Sequence, residues 1–298
     1  MGVIANLFGY VLNFLYNWLQ NYGYAIIIFT ILLKAIMLPI SIKQQKSMKK
    51  SQELQDQIKT INFKYKNDPE KMQRETMELY KREKVSPFSG CLSSILQFII
   101  FISVFYLVSR PLTYMRKVDA NLINNYDQAV TEINNNQKSS YPEIAIIEYI
   151  NKMNLSTDQD DYEQKKSDYD QLHLNMDFLG LDLSMVPSQN YKNIKVFIIP
   201  LLYVVFTFVN IKITNSLNEK SKKKDDKVID VANKDEKSNN DDQSMEDSIN
   251  QMNKSMSYTV PIMSIAIALI APLGLSLYWL VSNVLQLGER IVITKLSK

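Results

Sequence analysis

The sequence predicts an all-α polytopic membrane protein, with five transmembrane helices around a hydrophilic groove and a cytosolic helical hairpin. Three observations predict it. Of the 298 residues 46% are hydrophobic, yet they gather into blocks separated by charged stretches, and the blocks are long enough to cross about 30 Å of hydrocarbon. Lysine and arginine are shared unequally among the connecting stretches. One lysine, Lys34, falls in the middle of an apolar block, where a charge costs roughly 2.5 to 3.5 kcal/mol on insertion scales.

Residues 1–22 lack the basic start and small-residue cleavage site of a secretory signal and are expected to stay on the mature protein. Phe8, Val11, Leu12, Leu15 and Leu19 recur at spacings of three and four, with Asn6, Asn13 and Asn17 elsewhere around the helix. That pattern predicts an external amphipathic helix lying in the interface, a short sixth span being the alternative. The first span is 23–42. A cytosolic helical hairpin, 43–86, follows, with Leu54, Ile58 and Ile61 on one face of its first helix and Met72, Thr76, Leu79 and Tyr80 on one face of its second. Asp68-Pro69-Glu70 reads as the start of the second helix: an N-cap, a proline at the first helical position and a favourable acid. A solvated connector and a docking surface both fit this hairpin.

The second span is 90–110. The enlarged extracellular segment, 111–192, carries helical patterns near Val118 to Ile133 and Pro142 to Met153 and the single histidine, His173, which reads as a surface residue. The third span is 193–213. Residues 214–256, with Lys222-Lys223-Lys224-Asp225-Asp226 and Asn239-Asn240-Asp241-Asp242, hold too few apolar groups to fold alone and predict a flexible charged cytosolic loop. The apolar run from Tyr258 to Ile293 is cut by Ala271-Pro272-Leu273-Gly274, a turn signal that divides it into a fourth span, 257–271, and a fifth, 273–293. Residues 294–298 form a tail.

Orientation follows from charge near the span ends. Ser41 to Ser86 holds 12 Lys/Arg against 7 Asp/Glu, and Pro111 to Lys195 holds 8 against 13. The first stretch is expected inside and the second outside, which puts the N-terminus outside and the C-terminus in the cytoplasm. The net charge of +3 averages over unlike compartments. Cys91 is the single cysteine and cannot form an intramolecular disulfide.

The spans hold no Ser-His or Cys-His pair, no paired carboxylates and no His-Glu-x-x-His helix, so the sequence predicts no catalytic residues, metal, cofactor or small-molecule substrate. They do hold uncharged polar groups around one cation. Thr30 and Lys34 share a face of the first span; Ser93, Gln97 and Ser103 lie on the second, Thr207 and Asn210 on the third, and Ser276, Trp279, Ser282 and Asn283 on the fifth. Lys34 lies about 12 to 15 Å from either end of its span at 1.5 Å per residue, beyond the reach of a snorkelling lysine stem. It is therefore expected to face water or polar protein. If the faces converge they make a hydrated, positively charged cavity without an acid to neutralise it, suited to transient docking of acidic or polar peptide. The plainer alternative is a bundle lysine paired with one polar neighbour.

These residues resemble the YidC family of membrane protein insertases. Tyr24 to Gln45, containing Thr30-Ile31-Leu32-Leu33-Lys34-Ala35-Ile36-Met37-Leu38-Pro39-Ile40, resembles the family's first core span. Val85-Ser86-Pro87-Phe88-Ser89-Gly90-Cys91-Leu92 resembles its Asn-Pro-x-x-Gly-Cys-x-Pro lead into the second, with Ser86 and Ser93 in place of the usual Asn and Pro. Phe178-Leu179-Gly180-Leu181-Asp182-Leu183 resembles its Phe-Leu-x-x-Asp-Leu lead into the third, and Pro272 to Asn283 its Pro-Ala-Gly-Leu-x-Leu-Tyr-Trp-x-x-x-Asn signature. The resemblance implies an ATP-independent insertase and chaperone of nascent membrane proteins in the lipid bilayer, acting alone or with the Sec translocon. It implies a groove open to cytosol and lipid, lined by Lys34, Thr30, Gln97, Asn210, Trp279 and Asn283. Lys34 stands where the family usually has arginine, and Asn210 where it usually has glutamine. The hairpin corresponds to the family's site of substrate capture and contact with targeting machinery, which makes the ribosome and signal recognition particle candidate partners. A channel subunit and a membrane scaffold recruiting a cytosolic partner are the rival readings.

Overall fold

The computed structural model describes residues 2–83, 89–153, 162–229 and 266–296. The motif residues 85–88, the later part of the charged loop (230–256), the first part of the fourth span (257–265) and the last two residues of the tail lie outside the described residues. In chain order the elements are α1 (Gly2–Leu19), α2 (Tyr22–Glu53), α3 (Gln55–Lys64), α4 (Pro69–Arg82), α5 (Ser89–Ser109), a π-helical turn at Leu112–Arg116, α6 (Ala120–Ile133), α7 (Pro142–Lys152) and α8 (Tyr162–Leu172). Then come β1 (Asp177–Phe178), paired antiparallel with β2 (Leu181–Asp182), a 3₁₀ turn at Ile194–Phe197, α9 (Ile198–Ile229), a short helix α10 at 266–270, and α11 (Leu273–Leu296). Among the described residues two helical stretches are long and apolar enough to cross a membrane, Tyr22–Gln44 and Ile194–Ile213, and Ile95–Ser109 is a shorter apolar helix. Among the described residues the protein is mostly helical.

Two helices outrun their apolar blocks. α2 continues past residue 42 to Glu53, and α9 past residue 213 to Ile229, so that 214–229 is helix where the charged composition predicts a flexible loop. The reason is local: Lys, Gln, Met, Glu and Asn follow with no Gly or Pro, and hydrophilic residues of this kind extend a helix already nucleated by its apolar part. Pro39 lies inside α2.

Leu12, Ile26, Leu107, Leu112, Ile147, Leu174 and Leu277 belong to one buried cluster that joins α1, α2, α5, the π turn, the 111–192 segment and α11. α1 departs from the simple amphipathic pattern. Leu12, Leu15 and Tyr16 are buried against the protein, but Val3, Leu7, Tyr10, Phe14 and Trp18 are exposed and Val11 with them. Asn6 is drawn off by Lys117, whose ammonium donates to its Oδ1 and lies 4.9 Å from the centre of the Tyr10 ring. The helix is apolar on two sides because one side meets the 111–192 segment, which periodicity alone does not reveal.

That segment closes the end of the molecule at which α2 and α11 begin. Tyr22 N donates to Asn175 O (3.0 Å), Asn175 N to the Tyr16 hydroxyl (2.9 Å), Asn175 Nδ2 to Gln20 O (3.0 Å) and Asn21 Nδ2 to Asp177 O (2.6 Å). On the other side Ser188 N donates to Leu269 O, Leu273 N to Met185 O and Gly274 N to Leu183 O, at 2.9 to 3.0 Å. Phe178 packs so closely on Gly23 that a Cβ there would come within 2.4 Å of its ring. At the far end of α2, Leu54 and Leu79 are buried between α3 and α4 with Ile58, Ile61 and Tyr80 packed around them. Lys50 Nζ donates to Glu83 O (2.6 Å), tying the end of α2 to the end of α4.

Candidate functional site

Lys34 lies half-buried on α2, in a cleft lined by Thr30, Leu33, Met37 and Ser41 of the same helix, Gln97 and Ile100 of α5, and Tyr278 of α11. A helix places residues three and four apart on one face, which is why Thr30, Leu33, Lys34, Met37 and Ser41 line one wall. Thr30 is fully buried and its hydroxyl donates to Ile26 O (2.7 Å), so its polar group is engaged within its own helix. Gln97 is exposed at the opposite wall.

Among the described residues the cleft is lined by no acid, but one lies within electrostatic reach of Lys34. α11 continues as a helix beyond Asn283 and carries Glu289 and Arg290 back toward α2, where Glu289 attracts the Lys34 ammonium and Arg290 repels it. The field at Lys34 therefore includes the charges of Glu289 and Arg290 beside its own burial.

The other three residues singled out from the sequence lie elsewhere. Asn210 Nδ2 donates to Asn283 O (3.0 Å) and to Asn283 Oδ1, while Asn283 Nδ2 donates to Thr207 Oγ1 (2.7 Å). These bonds hold α9 to α11. Trp279 is buried, with its ring stacked on Phe101 of α5 at 6.1 Å and tilted against Tyr203 of α9 at 6.2 Å. The six residues thus divide into a cleft group, Thr30, Lys34 and Gln97, and a seam group, Asn210 and Asn283, with Trp279 wedged between α5, α9 and α11. The two groups lie at similar depth. Gly274 packs beside Ile26, and eight or nine residues further along each helix, about 12 Å at 1.5 Å per residue, come Lys34 and Asn283.

Sequence reasoning missed Tyr278 and Ser41 in the cleft, and named Thr207 among the polar groups of the third span without its partner in the seam. Thr207 and Asn210 are three apart on one helix face, a spacing that carries the signal; Tyr278 and Ser41 carry none that separates them from ordinary packing residues. The hydroxyls of Ser103 and Ser276 donate to Ile99 O (2.8 Å) and Ala268 O (3.2 Å), as packing groups do. The side chain of Ser93 lies outside the described residues.

The arrangement offers a cation, an amide and hydroxyls in a narrow cleft between three helices. The family model described as 60Kd inner membrane protein matches residues 14–298. The chain belongs to that family. Among its relatives are proteins named membrane protein insertase YidC. One from Leptospira interrogans is 48% identical over 97 residues, 32% of this chain and 16% of the relative. One from Caldanaerobacter subterraneus is 40% identical over 108 residues, 36% of this chain and 52% of the relative. One from a Geobacter species is 45% identical over 113 residues, 38% of this chain and 20% of the relative. The aligned part thus spans from about a sixth to about half of these relatives' lengths.

Proposed function

We propose that this chain is a membrane protein insertase and chaperone, without covalent catalysis, whose five spans enclose a groove open to the cytosol and to lipid. The spans are those at 23–42, 90–110, 193–213, 257–271 and 273–293, with the N-terminus and the 111–192 segment outside and the α3–α4 hairpin in the cytoplasm. Polar outer segments of nascent membrane proteins enter the groove lined by Lys34, Thr30, Gln97, Asn210, Trp279 and Asn283, and apolar segments leave into lipid along the third and fifth spans. The Lys34 ammonium supplies a Coulomb attraction for acidic segments, strengthened by the low dielectric around it. The gain comes from shortening the dehydrated path that a polar segment must cross. The hairpin receives clients and targeting machinery, the ribosome and signal recognition particle among them, with the Sec translocon as a further partner in the bacterial membrane.

One observation carries this reading. A half-buried lysine lines a cleft shared by α2, α5 and α11, while the end at which α2 and α11 begin is stitched shut by main-chain hydrogen bonds to residues 175–188. A cleft closed at one end suits a groove and not a continuous pore, which favours the insertase over a channel. The testing experiment is insertion of a single-span substrate with an acidic outer tail into liposomes holding only this protein, scored by protease protection. Insertion kept by Lys34→Arg and lost with Lys34→Ala or Lys34→Glu is expected. Equal insertion by all three variants would remove Lys34 from the mechanism, and no insertion by the unmodified protein would overturn the insertase reading.

A further inference from the structure

The seam between α9 and α11 is closed by the side chains that the groove reading assigns to clients. Thr207 is buried, and its hydroxyl donates to Tyr203 O (2.8 Å), leaving its oxygen to accept from Asn283 Nδ2 (2.7 Å). Asn210 Nδ2 reaches Asn283 O (3.0 Å). One turn toward the sealed end, Tyr203 and Trp279 face each other across the same seam. Phe208, Val209 and Val284, next to these residues in the chain, present apolar side chains outward. Polar contact thus occupies one layer of an otherwise apolar seam, level with Lys34.

We propose that Thr207, Asn210 and Asn283 form a clasp that a client segment must open and replace, so that their amides pair with its main chain; this rests on the insertase reading. Parting α9 from α11 alone would break these bonds in apolar surroundings, which is unfavourable. Water or an incoming group has to take over each bond. A helical client span satisfies its own backbone and offers little in exchange. An extended polar segment drawn to Lys34 carries unpaired N–H and C=O groups and can exchange bond for bond. The clasp therefore selects extended peptide over preformed helix, a discrimination that an all-apolar seam would not make. It also gives Asn210 a role that depends on a short side chain, since its amide reaches the Asn283 backbone directly.

The test locks the clasp reversibly. In a Cys91→Ser background, cysteines are introduced as Thr207→Cys and Asn283→Cys, the pair whose side chains already touch. The protein is reconstituted in liposomes and given a synthetic single-span peptide with an acidic tail. Loss of protease-protected insertion on oxidation and its return on reduction are expected, the same folded molecules serving as their own control. A second variant, Asn210→Leu with Asn283→Leu, should keep its thermal midpoint and lose insertion of the acidic-tailed peptide. Undiminished insertion by the oxidised protein would overturn the clasp while leaving the insertase reading intact. Absence of insertion in the reduced protein and in the unmodified chain alike would overturn that reading and the clasp with it.

Discussion

Glu143 is a buried carboxylate far in sequence from any charge that would suggest its place. It accepts from Thr113 N (3.0 Å, at Oε2) and from Thr113 Oγ1 (2.6 Å, at Oε1), so the first turn of α7 caps the π-helical turn after α5. Burial pushes its carboxyl above the ordinary glutamate range, and the bonds from Thr113 and Leu112 and the charge of Arg110 pull the other way. A raised folded value means that the native protein holds the proton more tightly than the unfolded chain. Stability contributed here is therefore greatest in acid and falls as pH rises from the ordinary glutamate range to the raised value. Glu143→Gln should keep an acceptor for Thr113 N and flatten that slope in thermal midpoints measured across pH 4 to 8. Glu143→Ala removes both bonds to Thr113, itself an exposed residue, and should cost about 0.5 to 1.5 kcal/mol. The capping partner, Thr113, could not be named from sequence, because the two residues meet only through tertiary packing.

The hairpin is the element most legible in advance. Asp68 accepts from Lys71 N (3.0 Å), Pro69 opens α4, and the faces carrying Leu54, Ile58 and Ile61 and carrying Leu79 and Tyr80 meet, because capping and helical spacing are local. Asp68→Ala should cost about 1 kcal/mol of local stability, seen as faster hydrogen exchange of the first-turn amides of α4 with the α2 amides unchanged. α6 and α7 are legible for the same reason, Asp119 capping one and Pro142 opening the other. The β1–β2 hairpin is not. Its turn places Leu179 at φ 54° and Gly180 at φ 75°, and a leucine in left-handed backbone is poor turn chemistry that no sequence rule would select. Pairing with α2 and the α10–α11 turn holds it there.

At the scale of the molecule, apolar side chains on the candidate spans point outward, among them Ile36, Phe98, Leu201 and Phe208. A water-soluble protein would bury such residues, whereas hydrocarbon accepts them. The 111–192 segment meanwhile welds α1, α2, α5 and α11 into one body at its end of the bundle. Asn175 is the node, bonded to Tyr16, Gln20 and Tyr22 and accepting from Asp177 N (3.2 Å). Asn175→Ala removes its side-chain bonds and should speed hydrogen exchange together at Tyr22, Asp177 and Leu183, as one cooperative unit. Exchange altered at residue 177 alone would show that the cap is a set of independent contacts.

What the sequence determined by itself is whatever follows from composition and short-range spacing: helical class, apolar blocks, the Asp68 cap, and the anomaly of Lys34 among Ile and Leu. What tertiary structure decided is which polar groups meet. Lys34 shares a cleft with Gln97 and Tyr278, and Asn283 finds Asn210 and Thr207 instead. The physical reason is that hydrogen-bond partners 70 or more residues apart are chosen by how helices dock, and a helix face announces its polarity without naming its partner.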